Sequence, residues 1–324
     1  MCNFIEPEHA FPIRLCYNIL DCEIFNFCSV RRLNFMNTFR IPEMARPYIE
    51  YDMIQNHTDL PHFPEFRTRL LHAFLNKSTK IAGFSDLYTL VTSLVQLGLD
   101  THDMVSVTND DKERKAARSR QLKVLAGDYF SSRFYYMLSH AGQIDLIGVL
   151  SNAICEANRI KMNLYLLMKQ FKMTADEYIR QSVEAKSQLF LSYADLLEER
   201  FRKLWPEVLR LFTRCEVLLA ELVRSESAGD YRNSWGYWHV MQNGTKEEAK
   251  LLRSDNLDPL KLRSLWHKYN VTAELYKRLE RCSQELHDKL QSLGSDTLAK
   301  ELQAIGEPFR HYLAGVRIDG GNMR

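Results

Sequence analysis

Three side chains able to do chemistry stand within four residues of one another, Asp100, His102 and Asp103 in the run LDTHDMV. Residues three or four apart share one face of a helix, so Asp100 and Asp103 could together reach a magnesium ion or a diphosphate group. Magnesium takes carboxylate and phosphate oxygens together more readily than it fills an all-protein cage. Two carboxylates are few for that task, and a helix cap or an ion pair is the simpler expectation for them. His102 is expected at the surface rather than acting as a base. Farther along, Asp128 falls inside an apolar helix. The simplest role there is a hydrogen-bonded core carboxylate, because a lone buried charge is costly.

Two apolar helices must position these groups. Leu87, Leu90, Val91, Leu94 and Val95 recur at helical spacing and predict a helix over 86–105 with a buried stripe. Ser85 stands where it could cap that helix. The connection VTNDDKERKAARSRQ is strongly charged, and its Asp110 and Asp111 read as a solvated pair. A second helix over 122–139 carries Leu122, Ala126, Phe130, Phe134 and Met137 in one row, widened by Leu125, Tyr129 and Tyr136. Such a helix is expected to pack on several sides. Gly127 and Ser131, one turn apart, leave room for a neighbouring backbone.

The rest of the 324-residue chain also reads as helix: it has nine prolines, none between Pro64 and Pro206, and thirteen glycines. Ala141-Gly142 turns into a helix over 145–169. Thr174 with Glu177 has capping-box spacing, and Pro206 and Asp258-Pro259 open further helices, the latter predicted to run to about Leu293. Tyr231, Trp235, Tyr237 and Trp238 are expected in core or interface packing. A last helix covers 296–313, and 316–324 is expected to be a frayed tail. Residues 1–35, rich in cysteine and aromatics, read as an N-terminal extension ahead of a single helical domain over 36–315.

Composition excludes several classes. Forty-three basic against forty-one acidic residues leave a charge of +2, too little to argue for nucleic acid. No apolar run approaches the ~18 residues of a membrane span. The seven cysteines lack the close pairing of a zinc site, and reduced thiols in a cytoplasmic protein are the plain reading. Asp195 with Glu198 and Glu199 lies among arginines and reads as an outer helix face.

A many-helix bundle with acids at one helix end resembles the trans-prenyl diphosphate synthases, the isoprenoid synthase fold. Those enzymes hold magnesium and the leaving diphosphate between two DDxxD motifs. This chain departs from them: Met104 follows Asp103, Val107 stands four residues on, and no downstream DDxxD exists. LDTHDMV, RQLKVLAGDYFSSRFYYMLS and EANRIKMNLY resemble instead subunit 1 of the two-component heptaprenyl diphosphate synthases. That resemblance covers roughly 36–315 and is strongest over 94–170.

The resemblance implies an all-α subunit, inactive alone, with no cofactor of its own. Its partner would be a catalytic subunit 2 that carries two DDxxD motifs and the Mg2+. Together they would extend farnesyl diphosphate with isopentenyl diphosphate to the all-trans C35 diphosphate of menaquinone biosynthesis. Gly127-Asp128 resembles the Gly-Asp of the catalytic synthases, and Lys186-Ser187 faintly resembles their Lys-Thr pair. Tyr129, Phe130, Phe134 and Tyr135 would either line an apolar tunnel or pack core and interface, the latter being favoured. Peripheral membrane contact is compatible with so greasy a product, though no basic amphipathic helix announces it. Two rival readings stand beside this one. The first is a self-sufficient prenyltransferase or terpenoid synthase using Asp100 and Asp103, and the second is a helical scaffold without isoprenoid role.

Overall fold

The computed structural model describes residues 39–105, 114–227, 231–254, 257–294 and 296–320, and all regular structure among them is helical. The expected all-α class is therefore correct. In chain order the first helices are α1 (Ile41–Ile49), α2 (Asp52–Gln55), α3 (Glu65–Asn76), α4 (Ser85–Asp103), α5 (Arg114–His140) and α6 (Ile144–Lys169). Then come α7 (Ala175–Leu191), α8 (Glu199–Arg202), α9 (Leu204–Glu226), α10 (Trp235–Asn243) and α11 (Lys246–Leu252). The last are α12 (Pro259–Lys268), α13 (Val271–Ser292) and α14 (Thr297–Gly320). No helix among the described residues is long and apolar enough to cross a membrane.

α4 is the axis of the bundle. Every residue from Tyr88 to Thr101 is buried, so the helix is enclosed on all sides rather than along one stripe. Its small hydroxyls make this tolerable. Thr92 and Ser93 donate to the carbonyls of Tyr88 and Thr89, at 2.8 and 2.7 Å, leaving few unmet polar groups on the inner faces. The main apolar core joins α3, α4, α6, α7, α9, α10, α13 and α14. α1 seats Ile41 and Ala45 against Leu90 and Leu94, and α2 seats Ile54 against Leu97, Ala126 and Phe130.

Local sequence chemistry explains most boundaries. Gly142, at φ 69°, makes the turn between α5 and α6. Thr174 accepts from the Glu177 amide at 3.1 Å, but Glu177 turns to Arg180 instead of reaching back, so this cap is one-sided. Thr245 and Glu248 make the reciprocal capping box at the start of α11. Trp235, Tyr237 and Trp238 are core residues, as expected.

Four boundaries differ from expectation. Ser85 does not cap α4; it is the first helical residue, and its hydroxyl donates to Asn76 Oδ1 at 2.6 Å. α5 begins at Arg114, well before Leu122, because the Arg- and Ala-rich connection holds good helix formers and no proline or glycine. The helix expected from Pro259 to Leu293 is broken at Asn270, whose φ of 50° is left-handed, a conformation asparagine tolerates better than most residues. Residues 316–320, expected in the tail, continue α14. The expected extension over 1–35, the Asp110–Asp111 pair and residues 321–324 lie outside the described residues.

Candidate functional site

The end of α4 distributes its three polar residues to two different places. Asp100 and Asp103 point into the bundle. Asp100 is buried and accepts from Gln96 Nε2, one turn earlier, at 2.7 Å. Asp103 accepts from Lys161 Nζ of α6 at 2.6 Å, each side chain about 14% exposed. Burial pushes the Asp103 carboxyl above its ordinary value. The Lys161 ammonium opposes that shift, Asp100 reinforces it, and Lys186 of α7 opposes it. Asp100, Asp103 and Lys186, picked out from the sequence, are thus brought into one electrostatic group.

A second ion pair closes the same interior. Arg67 of α3, buried, reaches Glu216 of α9 through Nε at 3.0 Å and Nη2 at 3.2 Å. Its Nη1 donates to the Lys186 carbonyl at 2.8 Å, and the guanidinium lies over the Phe190 ring. Planar two-point pairing of this kind fixes direction as well as charge. Arg67, Glu216, Lys161 and Gln96 were not singled out in the sequence. Gln96 alone had a local signal, its four-residue spacing to Asp100.

His102 leaves the helix on another side. Its Nε2 lies 3.2 Å from Asp128 Oδ1 of α5, and its ring covers Gly127, where a Cβ would stand 2.7 Å from it. Asp128 is therefore not the core carboxylate expected. Its side chain is 67% exposed. The reason is rotational: Ala126 and Phe130 take the inward face of α5 and carry Asp128 to the outside. Gly98 lies against the backbone of α5, since a Cβ there would sit 2.8 Å from the Gly127 carbonyl oxygen and 3.0 Å from the Ser131 nitrogen. The room expected at Gly127 and Ser131 is taken by this part of α4.

The aromatic residues of α5 also divide. Phe130 and Phe134 are buried, and Tyr129 packs edge-on against Tyr51 at 5.7 Å. Tyr135 is exposed, together with Leu125 at 63% and Tyr136 at 57%. α5 packs against α2, α4 and α6, as expected, but its outer side with Leu125, Tyr135 and Tyr136 is uncovered in this chain. α6, packed beside α5, exposes Ile144, Met162 and Leu166. Both helices thus expose large apolar side chains.

Asp103 is already engaged by an ammonium, Asp100 by an amide. Among the described residues no three His, Cys, Asp or Glu are placed to hold a metal ion. Asp195, Glu198 and Glu199 are at the surface, Glu198 near Arg200 and Glu199 near Arg202. Asp258 caps α12 by accepting from the Leu260 amide.

The sequence model of the heptaprenyl diphosphate synthase (HEPPP synthase) subunit 1 family matches residues 51–270. The chain belongs to that family. A relative, heptaprenyl diphosphate synthase component 1 of Geobacillus stearothermophilus, is 42% identical over 72 residues, which is 22% of this chain and 30% of that protein. The fold of this subunit 1 family member is shared by solved synthases of low identity. A geranylgeranyl pyrophosphate synthase from Lactobacillus brevis superposes with a TM-score of 0.63 at 13% identity, covering 83% of this chain and 94% of that one. A decaprenyl diphosphate synthase from Rhodobacter capsulatus gives 0.58 at 12% identity, covering 84% and 95%. The octaprenyl pyrophosphate synthase of Helicobacter pylori gives 0.57 at 16%, covering 82% and 97%. The subunit 1 family member therefore has the isoprenyl diphosphate synthase fold, as its sequence led one to expect.

Proposed function

We propose that this protein is the non-catalytic subunit of a two-component heptaprenyl diphosphate synthase. It binds a catalytic subunit bearing two DDxxD motifs and supports that partner in building the all-trans C35 diphosphate from farnesyl and isopentenyl diphosphates. The pathway served is menaquinone biosynthesis, and the site of action is the cytoplasm, at most peripheral to a membrane.

The observation that carries this reading is the engagement of Asp103 by Lys161 at 2.6 Å. The Asp103 Oδ2 that accepts from Lys161 is committed to an ammonium in a largely buried setting. Displacing the lysine would strand a buried charge. The chain therefore leaves magnesium to the partner. Its own contribution is a surface, the exposed apolar face of α5 and α6, with Leu125, Tyr136 and Met162 as the central anchors. Aromatic and methionine side chains are enriched where partners bury surface.

The test is an assay with farnesyl diphosphate, isopentenyl diphosphate and Mg2+, with the purified chain alone and with its partner. Turnover only in the mixture is expected. Turnover by the chain alone refutes the non-catalytic role and returns Asp100 and Asp103 to consideration as ligands.

A further inference from the structure

Two thiols meet in the core between α9 and α13. Cys215 and Cys282, 67 positions apart, have their sulfurs 3.1 Å apart, with Cys215 donating its S–H to Cys282. Cys282 Sγ also accepts from Arg214 Nε at 3.1 Å, and Arg214 in turn pairs with Glu285. The neighbourhood is asymmetric. The S–H donated by Cys215 pulls the Cys282 thiol below its ordinary value, and the Arg214 guanidinium acts the same way against burial. The Cys215 thiol is pushed well up, by its bond to Cys282 and by burial. With the Arg214 guanidinium 3.1 Å from its sulfur, Cys282 is the better placed to act as thiolate, and Cys215 is the thiol that follows it. Arg214 and Glu285 are both partly exposed, while Cys282 is 2% exposed and Cys215 is fully buried.

We propose that Cys215 and Cys282 form an oxidisable dithiol, which hydrogen peroxide closes into a disulfide tying α9 to α13. The Cys282 thiolate attacks one peroxide oxygen, and the O–O bond breaks. The departing hydroxide takes the proton that Cys282 released, leaving Cys282 as a sulfenic acid and one water. The Cys215 sulfur then attacks the Cys282 sulfur and the S–O bond breaks. The second hydroxide leaves with the Cys215 proton as water. Two electrons pass from the dithiol to the peroxide, and a small-molecule thiol reverses the process by exchange. A disulfide bond is about 2.05 Å long, so closure asks the two sulfurs to approach by about 1 Å. Both helices are long and packed along each other, and Cys215 adjoins Glu216, the partner of Arg67. Closure therefore staples the helix that anchors the interior ion pair.

The test uses the full-length reduced protein, exposed to hydrogen peroxide, alkylated, and digested with trypsin without reductant. The expected product is a disulfide joining peptide 215–224 to peptide 282–289. It should disappear with dithiothreitol and accompany a rise in Tm of roughly 5 °C, from the loop it closes. Arg214→Gln, read through peptide 211–224 because its trypsin site is lost, should slow formation about tenfold, by removing a donor that favours the thiolate. In Cys215→Ser, Cys282 should be trapped by a sulfenic-acid reagent instead. Peroxide treatment that oxidises the exposed Cys155 yet gives no 215–282 link, or links it only after denaturation, overturns the proposal. So does an unchanged Tm shift in Cys282→Ser.

Discussion

Lys161 and Asp103 stand 58 residues apart in the chain and 2.6 Å apart in the fold. The contact joins α4 to α6 in the interior and decides what the acidic end of α4 can do. It makes Asp103 one half of an ion pair.

The first prediction concerns that pair and its pH dependence. Lys161→Met should cost about 3–5 kcal/mol near pH 8, since removing one partner strands a buried charge. Burial already raises the folded Asp103 carboxyl, and losing Lys161 raises it further. The folded state then holds a proton that the unfolded state has released, so stability rises as pH falls toward the ordinary carboxylate range. Below that range both states are protonated and the dependence ends. Urea denaturation at pH 8 and pH 5 should show Lys161→Met recovering stability at pH 5. Adding Asp103→Asn should flatten the profile.

The second concerns the crossing of α4 and α5. Gly98→Ala places a Cβ 2.8 Å from a backbone oxygen and 3.0 Å from a backbone nitrogen, neither of which can rotate away. Overpacking of this kind costs roughly 1–3 kcal/mol. Gly127→Ala meets the His102 ring instead, a side chain able to swing outward, and should cost less. Chemical denaturation of the two variants checks the order.

The third concerns Arg67 and Glu216. Arg67→Met alone should destabilise by roughly 3 kcal/mol, leaving Glu216 in the interior without its guanidinium. Arg67→Met combined with Glu216→Leu should recover much of that loss, because an apolar pair of similar volume replaces two desolvated charges. A double-mutant cycle measures the difference. A double variant no more stable than the single one would mean the pair has another role.

The fourth concerns the apolar face. Leu125→Glu and Met162→Glu alter exposed positions and should leave the helical signal and Tm nearly unchanged. Each should weaken association with the catalytic subunit roughly tenfold or more. Sedimentation of the mixture, with circular dichroism of the variant alone, separates lost binding from lost folding.

The helices themselves were legible because their signals are local. Three- and four-residue apolar steps, the Thr245–Glu248 capping box and the Gly142 turn need only neighbours in sequence. The break at Asn270 was not legible: the apolar residues on either side of Tyr269-Asn270 read as one helix, and the left-handed residue shows only in the fold. Asp128 was misplaced for a related reason. An apolar neighbourhood in sequence does not tell which way a helix is rotated, and α5 is rotated to bury Ala126 and Phe130.

The sequence by itself determined the all-helical class, the family, the lack of a DDxxD motif and the run of residues around which α4 and α5 are built. These follow from residue type and short spacing. Only the tertiary structure decided the company each charge keeps: Lys161 for Asp103, Glu216 for Arg67, His102 for Asp128, and open solvent for Leu125 and Tyr136. Such pairings cross dozens of residues and depend on the rotation of whole helices. That rotation is set by the sum of many apolar contacts, with no marker at the charged residues themselves.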